Sequence, residues 1–148
     1  MPKPKLTGRA ILRKLALDPS FYGTLSDVLG LKLLSVAKGR VKMRLPWSKT
    51  ASQSAGLLHG GALATLTDTA TAVGTLFLLP EGWRTVTGEL KINFLDNIRE
   101  GACRAEAVLL HQGRKTLVWE IKVVSESTGR LLAVSTSTFF ILAPEKKP

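Results

Sequence analysis

The sequence predicts one α+β domain in which a long helix packs into the curve of an antiparallel sheet of five or six strands. Three observations predict this class: the chain length, one uninterrupted helical stretch near the middle, and a succession of alternating strands after it. The chain has 148 residues, enough for one hydrophobic core and too few for two. With 45% hydrophobic and 22% charged residues, it has the composition of an ordinary globular domain.

The part of the chain before the long helix divides into a basic arm and two short strands. Residues 1–24 are predicted to form a helical arm, with apolar residues at helical spacing between Thr7 and Leu17. Residues 25–148 are predicted to form the folded domain. Its first two strands are expected near Leu29–Val36 and Arg40–Leu45.

The long helix is expected to begin at His59-Gly60-Gly61 and to run to Leu79, where Pro80 follows. One side forms an apolar stripe of Leu63, Leu66, Ala70, Val73 and Phe77. The opposite side collects small residues and one charge: Gly61, Ala64, Thr65, Asp68, Thr71 and Ala72. Because a solvated face normally carries Lys and Glu, we expect protein to contact this helix on both sides.

Four strands after the helix are predicted to form an antiparallel meander. They are Thr85–Leu95, Ala102–His111, Thr116–Ser125 and Leu131–Leu142. In the first of them, Leu90, Ile92 and Phe94 alternate with Glu89, Lys91 and Asn93. This alternation groups Thr87 with the polar set, unless Gly88 marks a bulge that re-aims it.

The net charge of +10 is concentrated at one end of the chain, since residues 1–14 contribute +5 without any acid. This distribution favours a solvated basic arm. No zinc spacing, helix-turn-helix pattern or basic strand with interleaved aromatics accompanies the charge, so we expect no nucleic-acid partner. An anionic ligand or a membrane surface is the alternative partner for the arm.

The cysteine and histidine content, together with the first residues of the chain, limits the kinds of site and compartment that we expect. Cys103 is the single cysteine and only two histidines exist, which excludes an internal disulfide and makes a metal site improbable. The start of the chain does not resemble a secretory signal, and no run approaches the roughly 18 apolar residues of a membrane span. We therefore expect a cytoplasmic protein without membrane insertion.

Asp68 is the strongest candidate for a catalytic residue. A carboxylate among Gly, Ala and Thr side chains has little local competition for its oxygens, which suits a general base or a nucleophile. The alternative is that Asp68 caps, or pairs with, a group across an interface.

Three further features could assist such a carboxylate. Glycines in His59-Gly60-Gly61 would let a ligand approach the unpaired N–H groups at the helix start, where developing negative charge is stabilised. They could equally serve only to turn the chain tightly. Gln53 could donate a hydrogen bond to a water or a carbonyl. The tip of the hairpin after the second of the four strands carries Arg114 and Lys115, which suit phosphate groups but are also common on surface turns.

Taken in order, these residues resemble the hotdog thioesterase superfamily. The resemblance is to the branch with the phenylacetic-acid-degradation thioesterases and the 4-hydroxybenzoyl-CoA thioesterase of the Arthrobacter type. It covers roughly Leu25 to Leu142 and rests on Gln53-x5-His59-Gly60-Gly61-x6-Asp68 and on the run from Thr85 to Leu95. Gly113-Arg114-Lys115 and the run from Ser127 to Ala133 extend it.

The resemblance implies a role for each matching position. Asp68 would be the acidic nucleophile or general base, and the Gly60 backbone N–H would polarise the thioester carbonyl, with His59 preceding it. Gln53 would position the carbonyl or the water, and Thr87 would help to hold the attacking water. Gly61, Arg114 and Lys115 would contact the substrate, the two cations at the phosphates of coenzyme A.

The function that the resemblance implies is hydrolysis of an acyl-CoA thioester, with a small aromatic or a short- to medium-chain acyl group. Coenzyme A would be part of the substrate, and no separate cofactor or metal is expected. The active sites would be shared between chains of a homo-oligomer, a dimer or a tetramer. Two alternatives stay open: a module that binds acyl-CoA without turnover, and a dehydratase or hydratase of the same fold.

Overall fold

The computed structural model describes residues 23–80 and 82–144. Its elements are α1 (Leu25–Val28), β1 (Lys32–Ala37), β2 (Arg40–Pro46), α2 (Gly60–Leu78), β3 (Arg84–Phe94), β4 (Ala102–Gln112), β5 (Thr116–Ser125) and β6 (Leu131–Leu142). The predicted amino-terminal arm lies almost wholly outside these residues. The first strand begins at Lys32, later than predicted, because the short helical turn that Thr24 caps ends at Leu29 and Gly30 follows with a positive φ of 71°.

All six strands form one antiparallel sheet in the order β1-β2-β4-β5-β6-β3. The predicted meander is correct for β4, β5 and β6, but β3 pairs with β6 and not with β4. The reason lies in residues 95–101, which carry the chain from one side of the curved sheet to the other. Asn97 holds this crossing against the segment before α2, with bonds of 2.9 Å to both the N–H and the carbonyl of Leu58. As a result, β3 becomes an edge strand.

Helix α2 lies in the curve of the sheet, and its ends are set by the local sequence. His59 provides the amino-terminal cap, and Leu79 leaves the helical conformation (φ −87°, ψ 151°) directly before Pro80. The helix is 19 residues long with a mean hydropathy of 1.2, so by length and composition alone it could cross a membrane. However, 56% of its most apolar window is buried inside this fold, as is usual for the core helix of a folded domain.

The side of α2 that faces the sheet carries a buried row of threonines spaced four residues apart, Thr67, Thr71 and Thr75. The prediction that Thr71 lies on the small-residue side, opposite the apolar stripe, was wrong, because its hydroxyl is hydrogen-bonded inside the core. It donates to the carbonyl of Thr67 at 2.9 Å and accepts from Ser137 Oγ at 3.1 Å. Thr75 Oγ1 likewise accepts from Nε1 of the fully buried Trp119 at 2.9 Å. These bonds satisfy groups that would be costly to bury unpaired.

Candidate active site

The carboxylate of Asp68 lies midway along α2 and is bound by the neighbouring edge strand. Thr87 Oγ1 on β3 donates to Asp68 Oδ1 at 2.7 Å. The other carboxylate oxygen, Oδ2, has no donor among the described residues. Asp68 is only partly buried, so one oxygen is held by the protein while the other is open to a water or a substrate.

Thr87 reaches Asp68 because β3 contains a bulge. Thr87 pairs with Phe139 and Glu89 pairs with Thr138, so the register skips Gly88. The bulge that the sequence suggested is therefore present, and it turns Thr87 to the helix side of the sheet. The Phe140 ring lies close to this glycine: a Cβ on Gly88 would be 2.3 Å from Cε2 of Phe140, so a larger residue would require the ring to move.

The start of α2 leaves one backbone donor without a partner. His59 Nδ1 accepts from the Gly61 N–H at 2.8 Å, and this cap fixes the first turn. A Cβ on Gly61 would lie only 3.0 Å from the same nitrogen, which explains the glycine. Within the described residues the Gly60 N–H has no acceptor, so it is free to donate to a ligand oxygen at the positive end of the helix dipole.

Gln53 lies in the loop before α2, and its side chain is engaged within that loop. Its Oε1 accepts from the Ala55 N–H, and its backbone pairs with Leu57. Its amide nitrogen has no acceptor in the part of the chain that the structure describes. Gln53 therefore has side-chain N–H groups available to donate, although no hydrogen bond joins it to Asp68.

One chain does not bring Gly60 and Asp68 to a single ligand. They are eight positions apart on a straight helix with a rise of 1.5 Å per residue, which separates them by about 12 Å. A thioester carbonyl that accepts a hydrogen bond from the Gly60 N–H therefore cannot be attacked by Asp68 of the same chain. The residues of the predicted site thus form two half-sites: Asp68 with Thr87, and the Gly60 N–H with the Gln53 loop.

The basic tip between β4 and β5 lies beside the end of β6, where Arg114 and Lys115 line the same groove as Val86, the residue before Thr87. The Ile141 N–H donates to the Lys115 carbonyl at 2.9 Å and fixes the tip there.

Sequence reasoning missed two buried residues that support the helix backbone at Asp68, Thr71 and Ser137. Thr71 Oγ1 lies 3.1 Å from the main-chain carbonyl oxygen of Asp68 and accepts from Ser137 Oγ, so these hydroxyls act on the helix backbone and not on the carboxylate. The four-residue spacing of threonines was the available signal.

Comparison with known proteins identifies the family of this chain. The description "Thioesterase superfamily" belongs to the family model that matches residues 55–132, more than half of the chain. The chain is 30% identical over 122 residues to a 1,4-dihydroxy-2-naphthoyl-CoA hydrolase of Listeria monocytogenes, covering 82% of this chain and 98% of that protein. The chain belongs to the thioesterase superfamily.

Solved structures agree on the architecture of this superfamily member. A thioesterase of Haemophilus influenzae superposes with a TM-score of 0.84 at 23% identity, covering 99% of this chain and 98% of that one. The phenylacetic acid degradation protein of Thermus thermophilus gives a TM-score of 0.70 at 29% identity, over 78% and 96% of the two chains. The fold is the hotdog fold, and the prediction of a thioester-hydrolysing enzyme is confirmed by the family and by the names of the relatives.

Proposed function

We propose that this thioesterase hydrolyses acyl-CoA, with a small aromatic or short- to medium-chain acyl group, and that Asp68 is its nucleophile or general base. The observation that carries the proposal is the Asp68–Thr87 pair, which holds one carboxylate oxygen and leaves the other free. Fixing the carboxylate in this way orients it without neutralising it, as a base or nucleophile requires. No separate cofactor or metal enters the reaction.

Two copies of the chain complete each site in this proposal. Because about 12 Å separates Gly60 from Asp68 along one helix, the free N–H must come from a second copy, as would the Gln53 loop. Strand β3 supports this arrangement: it is an edge strand, and Phe94 and Leu95 at its end are 52% and 57% exposed. Pairing with a second β3 would cover such an edge and would cover the small-residue side of α2. A dimer, or a tetramer of two dimers, follows.

Within the superfamily, we place the chain with the branch of the phenylacetic-acid-degradation proteins. The Gln53 to Asp68 spacing and the likeness to the Thermus thermophilus protein support that placement. A cytoplasmic location is proposed with it, because free acyl-CoA is an intracellular metabolite and Cys103 is a free thiol.

The direct test is thiol release from a panel of acyl-CoAs, aromatic and C4 to C16, by wild type, Asp68→Ala and Asp68→Asn. We expect at least roughly a hundredfold loss of kcat in both variants, the scale of an acid–base group. Glu120→Gln, which alters an exposed acid on the other side of the sheet, is the matched control. Tight acyl-CoA binding with no turnover by wild type would instead identify a binding module.

The Gly60 N–H donor can be removed by a substitution that changes little else in the helix. Proline lacks the N–H and suits the first position of a helix, and His59 before it already has an extended conformation (φ −68°, ψ 136°). Gly60→Ala is the control, since it adds a Cβ near Phe94 but keeps the donor. We expect Gly60→Pro, and not Gly60→Ala, to lower kcat by roughly a hundredfold or more.

Mixing the two inactive variants tests whether sites are shared. A dimer with one Asp68→Ala chain and one Gly60→Pro chain contains one intact site if each site takes Asp68 from one chain and Gly60 from the other. After co-refolding in equal amounts we expect about a quarter of wild-type activity, since half of the dimers are mixed and each has one of two sites. No recovery on mixing would contradict shared sites while leaving the role of Asp68 intact.

A further inference from the structure

The segment before α2 is held by a side chain from the crossing that follows β3. Asn97 lies in this crossing, 39 positions after Leu58. Its Oδ1 accepts from the Leu58 N–H at 2.9 Å, and its Nδ2 donates to the Leu58 carbonyl at 2.9 Å. Because Leu58 is only 1% exposed, one amide side chain serves both backbone groups of a buried residue. Neither half-site of the proposed reaction includes Asn97.

Only an amide side chain can make this set of bonds. Asn97 Oδ1 also accepts from the Ile98 N–H at 2.7 Å, so the oxygen meets two donors while the nitrogen meets a carbonyl. A carboxylate would lack the donor, and an aliphatic side chain would lack both groups. The Leu58 N–H has a second, longer bond to the Ile98 carbonyl at 3.2 Å. The Leu58 carbonyl has no donor besides Asn97 within residues 23–80 and 82–144, and an unpaired buried carbonyl is costly.

The crossing that carries Asn97 is itself fixed to the sheet. Arg130 Nη2 donates to the Asn97 carbonyl at 3.0 Å, and Arg130 Nε pairs with Asp96 Oδ2 at 2.9 Å. The N–H groups of Leu95 and Asp96 both donate to the carbonyl of Leu132 on β6, at 2.8 and 3.1 Å. The amide of Asn97 is therefore supported from strand β6, and it transmits that position to the segment before α2.

Two consecutive peptide groups before the free Gly60 N–H are fixed in this way. The group between residues 57 and 58 donates its N–H to Asn97 and accepts from the Gln53 N–H at 2.8 Å. The next group accepts from Asn97 at its carbonyl, and its N–H, that of His59, donates to the Ala51 carbonyl at 2.8 Å. The peptide group after these two carries the Gly60 N–H. That donor therefore follows directly on the part of the chain that Asn97 holds.

We propose that Asn97 is a positioning residue of the thioesterase, which acts on the reaction through the Gly60 N–H. The inference rests on the proposed function, in which this N–H donates to the thioester carbonyl. A donor stabilises the charge that develops on the carbonyl oxygen best when it is in place before the reaction. A misplacement of about 1 Å can cost on the order of a hundredfold in rate. Asn97 prevents such a displacement by joining the residues before the donor to the sheet.

The end of β3 supports the same turn of the helix. A Cβ on Gly60 would lie 3.2 Å from Cζ of Phe94, so the ring packs against this glycine. Residues 87–97 thus contact both half-sites, with Thr87 at Asp68 and the region of Phe94 and Asn97 at the start of α2. One continuous stretch of chain positions the carboxylate and the donor.

The first test is steady-state hydrolysis of acyl-CoA by wild type, Asn97→Ala and Asn93→Ala. Asn93 is a second asparagine, exposed on β3 and bonded to Lys91, so it is the matched control and should leave the kinetics unchanged. We expect Asn97→Ala to lower kcat roughly ten- to hundredfold and to change KM less than about threefold, as loss of an interaction made only in the transition state does. A kcat equal to that of wild type would overturn the inference.

The second test distinguishes positioning from a general loss of structure. In the Gly60→Pro variant the donor is absent, so adding Asn97→Ala should lower kcat less than about twofold further. A smaller folded fraction would instead multiply the loss by the same factor in both backgrounds, and that result would overturn the inference. If Asn97→Ala does not fold, Asn97→Asp takes its place in both tests, because it keeps the accepting oxygen and loses only the donor. The same criteria then apply to it.

The third measurement is independent of turnover. Backbone ¹⁵N relaxation of the Gly60 amide should give an order parameter near the roughly 0.85 of rigid backbone in wild type and Asn93→Ala, and a lower value in Asn97→Ala. An order parameter and an amide shift that are both unchanged by Asn97→Ala would overturn the inference and leave the thioesterase intact. Loss of order in Asn97→Ala, without hydrolysis of any thioester by wild type, would instead overturn the proposed function alone.

Discussion

Thr87 Oγ1 on the edge strand donates a 2.7 Å hydrogen bond to Asp68 Oδ1 in the middle of the central helix. The bond joins two elements that are 19 residues apart in sequence. A hydrogen bond to a charged acceptor is stronger than one between neutral groups. It restricts the orientation of the carboxylate by holding Oδ1 against the strand. Strand β3 therefore helps to orient the carboxylate that we propose as the reacting group, although the helix carries it.

Removing the Thr87 hydroxyl should lower the rate without unfolding the protein. We expect Thr87→Val to reduce kcat roughly ten- to hundredfold, the equivalent of losing one hydrogen bond to a charged group. Thr87→Ser keeps the donor and should retain most of the activity. Steady-state kinetics beside urea unfolding measures both effects. Equal activity of the Val and Ser variants would show that the bond does not contribute to turnover.

The bulge at Gly88 should not tolerate a methyl group. A Cβ there would lie 2.3 Å from the Phe140 ring, so Gly88→Ala should lower the free energy of unfolding by about 1–3 kcal/mol, the usual cost of overpacking. It should also lower kcat, because Thr87 moves with the strand. Adding Phe140→Ala removes the clash and should recover much of the stability. If the double variant is no more stable than Gly88→Ala, the steric explanation is wrong.

His59 is expected to act on stability more than on chemistry. His59→Ala removes the side-chain acceptor for the Gly61 N–H and should cost about 1 kcal/mol, as loss of a helix cap does. Asparagine is itself a favoured cap, so His59→Asn should restore most of that loss. Urea unfolding of the three proteins checks this prediction. A loss of kcat in both variants with unchanged stability would instead assign His59 to the reaction.

Cys103 should make stability fall at alkaline pH. Burial, and secondarily the nearby Glu126, raises the pKa of its thiol from 9.0 to about 12. Between these values the unfolded chain loses the proton and the folded chain keeps it. Fewer protons on the unfolded state mean that the free energy of unfolding decreases as pH rises through about 9. At pH 10 the thiol accounts for about 1.4 kcal/mol of that loss.

Cys103→Ala isolates this contribution, because other groups titrate alike in both proteins. The stability difference between wild type and Cys103→Ala should shift by about 1.4 kcal/mol between pH 7 and pH 10, in favour of the variant at high pH. Urea unfolding at the two pH values measures it. A difference that is independent of pH would mean that the folded thiol titrates as it does in the unfolded chain.

Local signals in the sequence determined the α+β class, the span of the central helix and the candidate carboxylate. The helix could be bounded because its cap at His59 and its stop at Pro80 are decided by neighbouring residues. Asp68 stood out because it is the one charge on a helix side of small residues. Such features depend on positions a few residues apart, which the sequence displays directly.

The tertiary structure alone decided the position of β3, the side of the helix on which Thr71 lies, and the contact between Thr87 and Asp68. Each depends on partners remote in the chain: β6 for β3, Ser137 for Thr71, and Asp68, 19 residues away, for Thr87. Period-two alternation cannot show whether one residue is skipped, and a skipped residue reverses the faces of those beyond it. The sequence therefore named the groups of the candidate site, while long-range strand pairing determined which of them meet.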